Sequence, residues 1–188
     1  MNEALRLAEA QPQVGTLCWA IYWVSFSRLI ESGLERASAF ADRAVALATE
    51  HGIGFWATAA QLSQAAALVI ADPRRAVTLI GSGLVKLEAL GSHYYFHPTY
   101  LCFQAEALLN LGRIAEARDT VDRALAMSAS TGLVWWDAEL QRIRAAVIRA
   151  EGGSKAAIRK GLARAVTIAE QQGSETFRRR AAADMDAT

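Results

Sequence analysis

Three prolines and two cysteines in 188 residues leave little to interrupt a helix and nothing to staple a fold. Cys18 and Cys102 are far apart and each lies in an apolar helical pattern. A disulfide framework is therefore excluded, and both are expected as small buried hydrophobes in a reducing compartment. Net charge is scarce as well: 20 basic and 19 acidic side chains leave +1, which removes the bulk electrostatic case for nucleic acid or an anionic membrane. Long apolar runs are missing. The two longest, 17–30 and 55–71, are broken by Ser25, Ser27 and Arg28 and by Gln61, Ser63 and Gln64. Both fall short of the roughly 20 clean residues that a membrane span takes. The first dozen residues hold Glu3, Arg6 and Glu9 and no apolar stretch, so a cytoplasmic location without a secretory leader is expected.

What the chain has in excess is alanine, about a fifth of all residues in a composition that is 53% hydrophobic. Alanine loses no side-chain entropy in a helix and is depleted in strands, so the composition predicts an all-α protein. The length suffices for one ordinary domain or a run of small repeats.

A repeat is present. Gly52, Gly91, Gly132 and Gly173 stand 39, 41 and 41 residues apart. Each is followed three to four residues on by aromatics: Phe55 and Trp56, Tyr94 and Tyr95, Trp135 and Trp136, then Phe177. Gly15 with Trp19 fits the phase more loosely. Eight residues before each glycine is a small residue: Ala44, Gly83, Ala124 and Ala165. Three earlier come Ala41, Ile80, Val121 and Leu162, and four earlier again Ala37, Ala76, Ala117 and Ile158. Steps of four and three keep these on one helical face, with the small residue placed to let a second helix approach.

Each unit reads as a hairpin of helices A and B closed by a glycine C-cap. Asp72 before Pro73 suits an N-cap with proline at the first helical position. Ser32 and Glu35 have the spacing of a capping box. The patterns predict helices over 14–31, 34–51, 55–71, 73–90, 98–111, 114–131, 134–151 and 155–172, and a last one over 175–184. The chain is thereby expected to be one helical repeat domain, 1–188, with units at about 14–52, 53–91, 92–132 and 133–173 and a capping helix at 174–184.

The stretch AEALLNLGRIAEARDTVDRALAM resembles a tetratricopeptide repeat, with Gly112, Ala117 and Ala124 at that family's intervals for a turn glycine and two small packing positions. The fourth unit has Gly153 and Ala165 but Ile158 between them, and the second and first carry Ala71 and Ser32 at the turn. A period near 40 exceeds the usual 34 and implies longer helices. A further resemblance rests on Gly132, Trp135, Trp136, Glu139 and Leu140, and on the run ERASAFADRAVALATEHGIGFW. These look like the C-terminal repeat region of bacterial multidomain ATPase-linked regulators, in which a class III adenylate cyclase or a winged-helix or LuxR-type transcription module is joined to an ATPase and then to such repeats. The resemblance implies an all-α tetratricopeptide-like superhelix, or solenoid, of about four hairpins and a capping helix, serving as a sensor or scaffold beside effector domains. No GxGxxG, GKS or GKT occurs in the chain, so neither nucleotide hydrolysis nor cyclisation transfers with it.

The residues carry no catalytic pattern. His93 and His97 have a metal-like spacing of four, but Pro98 biases the preceding backbone away from helix and no further ligand is near. Ser25, Ser27, Ser38, Ser63 and Ser82 lie within predicted helices, none in a nucleophile elbow. No enzyme activity, metal or cofactor is expected. The aromatics near the starts of the A helices divide into members that pack between units and members that face a partner. The residues assigned to the partner face are Trp19, Trp23, Trp56, Tyr95 and Trp136, with Arg28, Gln64 and Arg142 as polar companions. Arg178, Arg179 and Arg180 form the one basic run, read as a solvated or packed face of the last helix and too small for a dedicated nucleic-acid binder. The expectation is a non-catalytic interaction or regulatory domain whose partner is a protein, a peptide or an effector domain of the same polypeptide. A small-molecule sensor and a homo-oligomerisation module, the latter through Leu5, Leu7 and Val14, are the rivals.

Overall fold

The computed structural model describes residues 2–11, 13–31, 34–91 and 95–188, with backbone alone for 2 and for 34–38. Among these residues there is no strand, and ten α-helices follow in order. They are α1 Asn2–Glu9, α2 Val14–Glu31, α3 Leu34–Glu50, α4 Gly54–Ala67, α5 Pro73–Ala89, α6 His97–Asn110, α7 Ile114–Thr131, α8 Asp137–Ala150, α9 Lys155–Gln171 and α10 Glu175–Asp186.

Helix ends fall where a side chain or a glycine satisfies the backbone. The Asp72 carboxylate accepts the Arg75 N–H at 3.1 Å with Pro73 in the first turn of α5, the expected cap. Ser154 caps α9 in the same way, accepting the Ala157 N–H at 3.2 Å. The four periodic glycines all adopt left-handed φ, between 66° and 81°. Gly15 does not share the pattern, since it lies inside α2. In the fourth hairpin it is Gly152, at φ 76°, that takes the left-handed turn matching Gly112, and not Gly153. Gly153 meets another constraint: its N–H donates to the Ile148 carbonyl at 2.9 Å, and a Cβ would lie 2.7 Å from that oxygen. The turn there is one residue longer.

Two predicted boundaries move by three residues or more, and one helix is added. The helix expected over 55–71 stops at Ala67, where N–H groups of Leu68 and Val69 bond three residues back and the Asp72 N–H closes the turn onto Leu68 at 2.8 Å. With alanine at 71 in place of a turn glycine, the chain reverses through these tighter turns. The helix expected from Val134 opens as a single 3-10 turn, Val134–Trp136, before α8. Helix α1 was not among the predicted helices; short and strongly amphipathic, it buries Ala8 and reaches α3 through Glu9, whose carboxylate accepts from Arg43 at 2.8 Å. The capping-box pair Ser32 and Glu35, the side chains of Ala37 and Ser38, and His93 and Tyr94 lie outside the described residues.

The chain divides into two compact units, 1–93 and 94–188. In the first, each of α1 to α5 packs on the next, and α2 also touches α4. In the second, each of α6 to α10 packs on the next, α6 touches α8 and α8 touches α10. Within each unit an A helix thus meets its own B helix and the A helix of the following hairpin, and in the second unit α10 takes the place of a further A helix. The small residues sit at the crossings: Ala44, Ala124 and Ala165 are fully buried, and a Cβ on Gly83 would lie 2.6 Å from Leu62 Cδ2. Ala41, Ile80, Val121, Leu162, Ala76, Ala117 and Ile158 are all buried. Both cysteines are free and buried. Among the described residues no helix is long and apolar enough to cross a membrane.

Candidate functional site

The aromatics expected on a partner face divide unevenly. Trp19 and Tyr95 are each 45% exposed. Trp23 and Trp56 are half-buried and join a ring cluster through Tyr22, at centroid distances of 5.4 and 5.5 Å. Trp136 is a correction: it is 1% exposed, packed edge-on against Phe177 at 4.9 Å and against Trp135 at 5.2 Å. Its indole fastens α10 to the turn before α8, so it presents nothing to a partner. Arg28 is half-buried in the last turn of α2.

Arg142 is also drawn inward. Only 13% of its side chain is exposed, and its guanidinium donates to Glu139 at 2.9 Å and Asp184 at 3.0 Å, with Glu106 at 3.6 Å. Arg180 donates to the same Glu139 oxygen at 3.0 Å. This cluster ties α8 to α6 and α10. Burial disfavours the Arg142 charge, but the carboxylates of Glu139, Glu106 and Asp184 outweigh it and hold the group protonated. Burial raises the Glu106 carboxyl above its ordinary value, against the pull of Arg142. The Cys102 thiol is pushed well up by burial and by the nearby Glu139 and Glu106 charges, which keeps it from acting as a nucleophile at neutral pH. The basic run is divided: Arg178 and Arg179 pair with Glu175 on α10 itself, and Arg180 turns to Glu139.

His97 is buried in the first turn of α6. Among the described residues no three His, Cys, Asp or Glu side chains gather as a metal site.

Gln64 alone of the eight leads to a concavity. It donates to Asp42 at 2.6 Å and lies in an open groove of about 660 Å³ between α3, α4 and α5. One wall is polar, with Gln61 and Gln64 from α4 and Asp42 from α3. The other is a stripe along α5, Arg75, Leu79, Ser82 and Lys86, spaced four, three and four so that all share one face. Ala67, Leu68 and Gly83 complete the lining. Gly83 lets α5 close onto Leu62, so the groove is shallow and floored by small and apolar groups.

A second groove, of about 360 Å³, opens between α8 and α9. Gln141, Arg144 and Ile148 stand nine, twelve and sixteen residues after Gly132, as Gln61, Gln64 and Leu68 do after Gly52. Arg144 donates to Asp122 at 3.1 Å, and Asp122 and Asp42 both stand ten residues before the glycine that closes their hairpin. The same tie from an A helix to the preceding B helix therefore recurs in both units. Lys160 and Arg164 edge this groove and Gly161 floors it, where a Cβ would meet Ala145 Cβ at 3.2 Å.

Sequence reasoning looked for partner contacts on A helices and so passed over Arg75, Leu79 and Lys86. The sequence carried only their spacing, a leucine between two cations on one face of a B helix; that Leu79 is exposed comes from the structure.

No family model matches the chain. An uncharacterized protein of Rhizobium meliloti (strain 1021) is 41% identical over 101 residues, which is 53% of this chain and 10% of that protein. The chain thus aligns with only a small part of that relative. The crystal structure of PlcR of Bacillus thuringiensis in complex with the peptide PapR7 and DNA is similar to this chain at a TM-score of 0.77 and 15% identity. The likeness covers 96% of this chain and 67% of PlcR. At that identity it shows the fold, an all-α, tetratricopeptide-like series of helix hairpins.

Proposed function

We propose that this chain is a non-catalytic regulatory repeat domain that binds a peptide or an extended segment of a partner protein. The observation that carries this reading is the groove of unit 1. It is open and of mixed character, with side-chain amides able to pair with a passing backbone and an exposed Leu79 between two cations able to take an apolar side chain. The titratable groups of unit 2 that come together, Glu106, Glu139, Arg142, Arg180 and Asp184, are engaged with one another, a brace and not a reacting set. PlcR, which shares the fold, was crystallised with a peptide and with DNA; the peptide supports the reading, and the DNA makes duplex DNA a necessary competitor in any test. The relative in which the aligned stretch is a tenth of the length fits a domain that works inside a longer polypeptide; an ATPase and a cyclase or winged-helix effector beside it rest on the sequence resemblance alone.

The test is selection of a displayed random-peptide library on the immobilised chain. Enrichment of a consensus peptide that binds in solution, and that Gln64→Ala weakens, is the expected result. No enriched peptide, together with saturable binding of duplex DNA or of a nucleotide, would overturn it.

A further inference from the structure

We infer that the unit 1 groove takes an acidic segment of its partner, bound extended, with two carboxylates answering Arg75 and Lys86. This rests on the peptide-binding reading and names the chemistry of the peptide.

The charges in the groove are unequal in availability. Asp42 is the one carboxylate in its lining, and Gln64 already donates to it at 2.6 Å. Arg75 and Lys86 are exposed and make no ion pair among the described residues. The Asp42 carboxylate keeps its charge but is held against the α4 wall by Gln64, so the α5 wall presents two cations and the groove a net positive charge. The two cations are eleven residues apart on one helix face, about 16 Å at 1.5 Å per residue. An extended chain rising roughly 3.3 Å per residue turns alternate side chains to the same side, so i and i+4, about 13 Å apart, come nearest to that distance on one face. A segment with carboxylates at i and i+4 would meet both cations, whose long side chains take up the remaining few ångströms, set the apolar side chain of i+2 on Leu79, and offer its backbone to Gln61 and Gln64 on the facing wall.

The second groove repeats the charge pattern. Its own arginine, Arg144, is tied to Asp122, while on the α9 wall Lys160 makes no ion pair among the described residues and Arg164 acts on the Asp137 carboxylate. In both units, then, an A-helix side chain holds the aspartate of the preceding B helix, and the following B-helix wall carries two cations. Nucleic acid fits unit 1 poorly, because its phosphates recur along the whole strand, whereas Leu79 and Ser82 separate the two cations here.

The experiment uses the whole chain and fluorescein-labelled peptides in which two glutamates on an alanine–leucine background are set about two, four or eight residues apart. Fluorescence anisotropy should show tightest binding at the spacing of four. Arg75→Glu combined with Lys86→Glu, both on exposed positions, should leave helicity by circular dichroism unchanged and weaken that peptide by about tenfold or more. The same variant should bind a peptide with lysines in place of the glutamates, which the unaltered chain rejects. Unchanged affinity in the charge-reversed variant overturns the inference, as does duplex DNA that binds more tightly through the same two residues. If library selection yields a consensus without acidic residues, the acidic inference falls and peptide binding stands. If selection yields no peptide, both fall.

Discussion

Single residues set the closeness of the helices and their response to pH. Gly83 is the sharpest case, because the Cβ of an alanine there would stand 2.6 Å from Leu62 Cδ2 and 2.9 Å from its Cγ. Alanine would improve helix propensity by about 1 kcal/mol, but forcing a methyl into a packed crossing costs about 1–3 kcal/mol, so Gly83→Ala should be neutral to destabilising. Leu62→Ala makes room for that methyl. In urea titrations the double variant should therefore be more stable than the sum of the single effects, and strict additivity would show that the crossing does not constrain position 83. Glu106 sets a pH dependence. Its carboxyl is raised in the folded state, mainly by burial, so the native state holds its proton to higher pH than the unfolded chain. Its favourable contribution is full below the ordinary carboxylate value and is lost as pH rises through the raised one. Glu106→Gln cannot ionise, so its melting temperature relative to the unaltered chain should climb between pH 4 and pH 7. A difference that stays constant across that range would rule the effect out.

At the scale of elements, the brace of α6, α8 and α10 works through one guanidinium. Arg142→Met removes the cation and leaves Glu139, 5% exposed, without its principal partner. Breaking a buried pair from one side costs about 3–5 kcal/mol, and that loss should be seen as a fall in the urea midpoint. A loss below about 1 kcal/mol would mean that Arg180 alone sustains Glu139. The helix boundaries carry a related lesson. Helices α5 and α7 begin where the sequence placed them, α5 because Asp72 caps it ahead of Pro73 and α7 because Gly112 turns the chain ahead of its apolar stripe. The helix over 55–71 ended early, and the fourth turn shifted its left-handed glycine by one residue. Both outcomes depend on which carbonyl the next N–H can reach, and that is set by the approach of the following helix.

For the whole molecule, repeats that contact chiefly their neighbours should lose stability locally. Hydrogen exchange read by mass spectrometry on Arg142→Met should show faster exchange across α6 to α10 with α2 to α5 little changed. Uniform acceleration of both units would mean that they open together.

The all-α class, the repeat of about forty residues, the left-handed glycines and the small residues at the crossings were legible in the sequence. They are local requirements, and each is met by residue type at a fixed spacing. The partner face was not legible. Periodicity shows which side of a helix is apolar, but Trp136 and Arg142 have the composition of surface anchors and are taken inward, one by Phe177 and the other by Glu139 on its own helix and by Glu106 and Asp184 on neighbouring helices. Two residues on a B helix, Arg75 and Lys86, were left with unspent charge beside a groove. The sequence by itself determined where helices form and how closely they cross. Only the tertiary structure decided which charges are neutralised from within and which remain for a partner, because pairing depends on distances between helices that no spacing along the chain encodes.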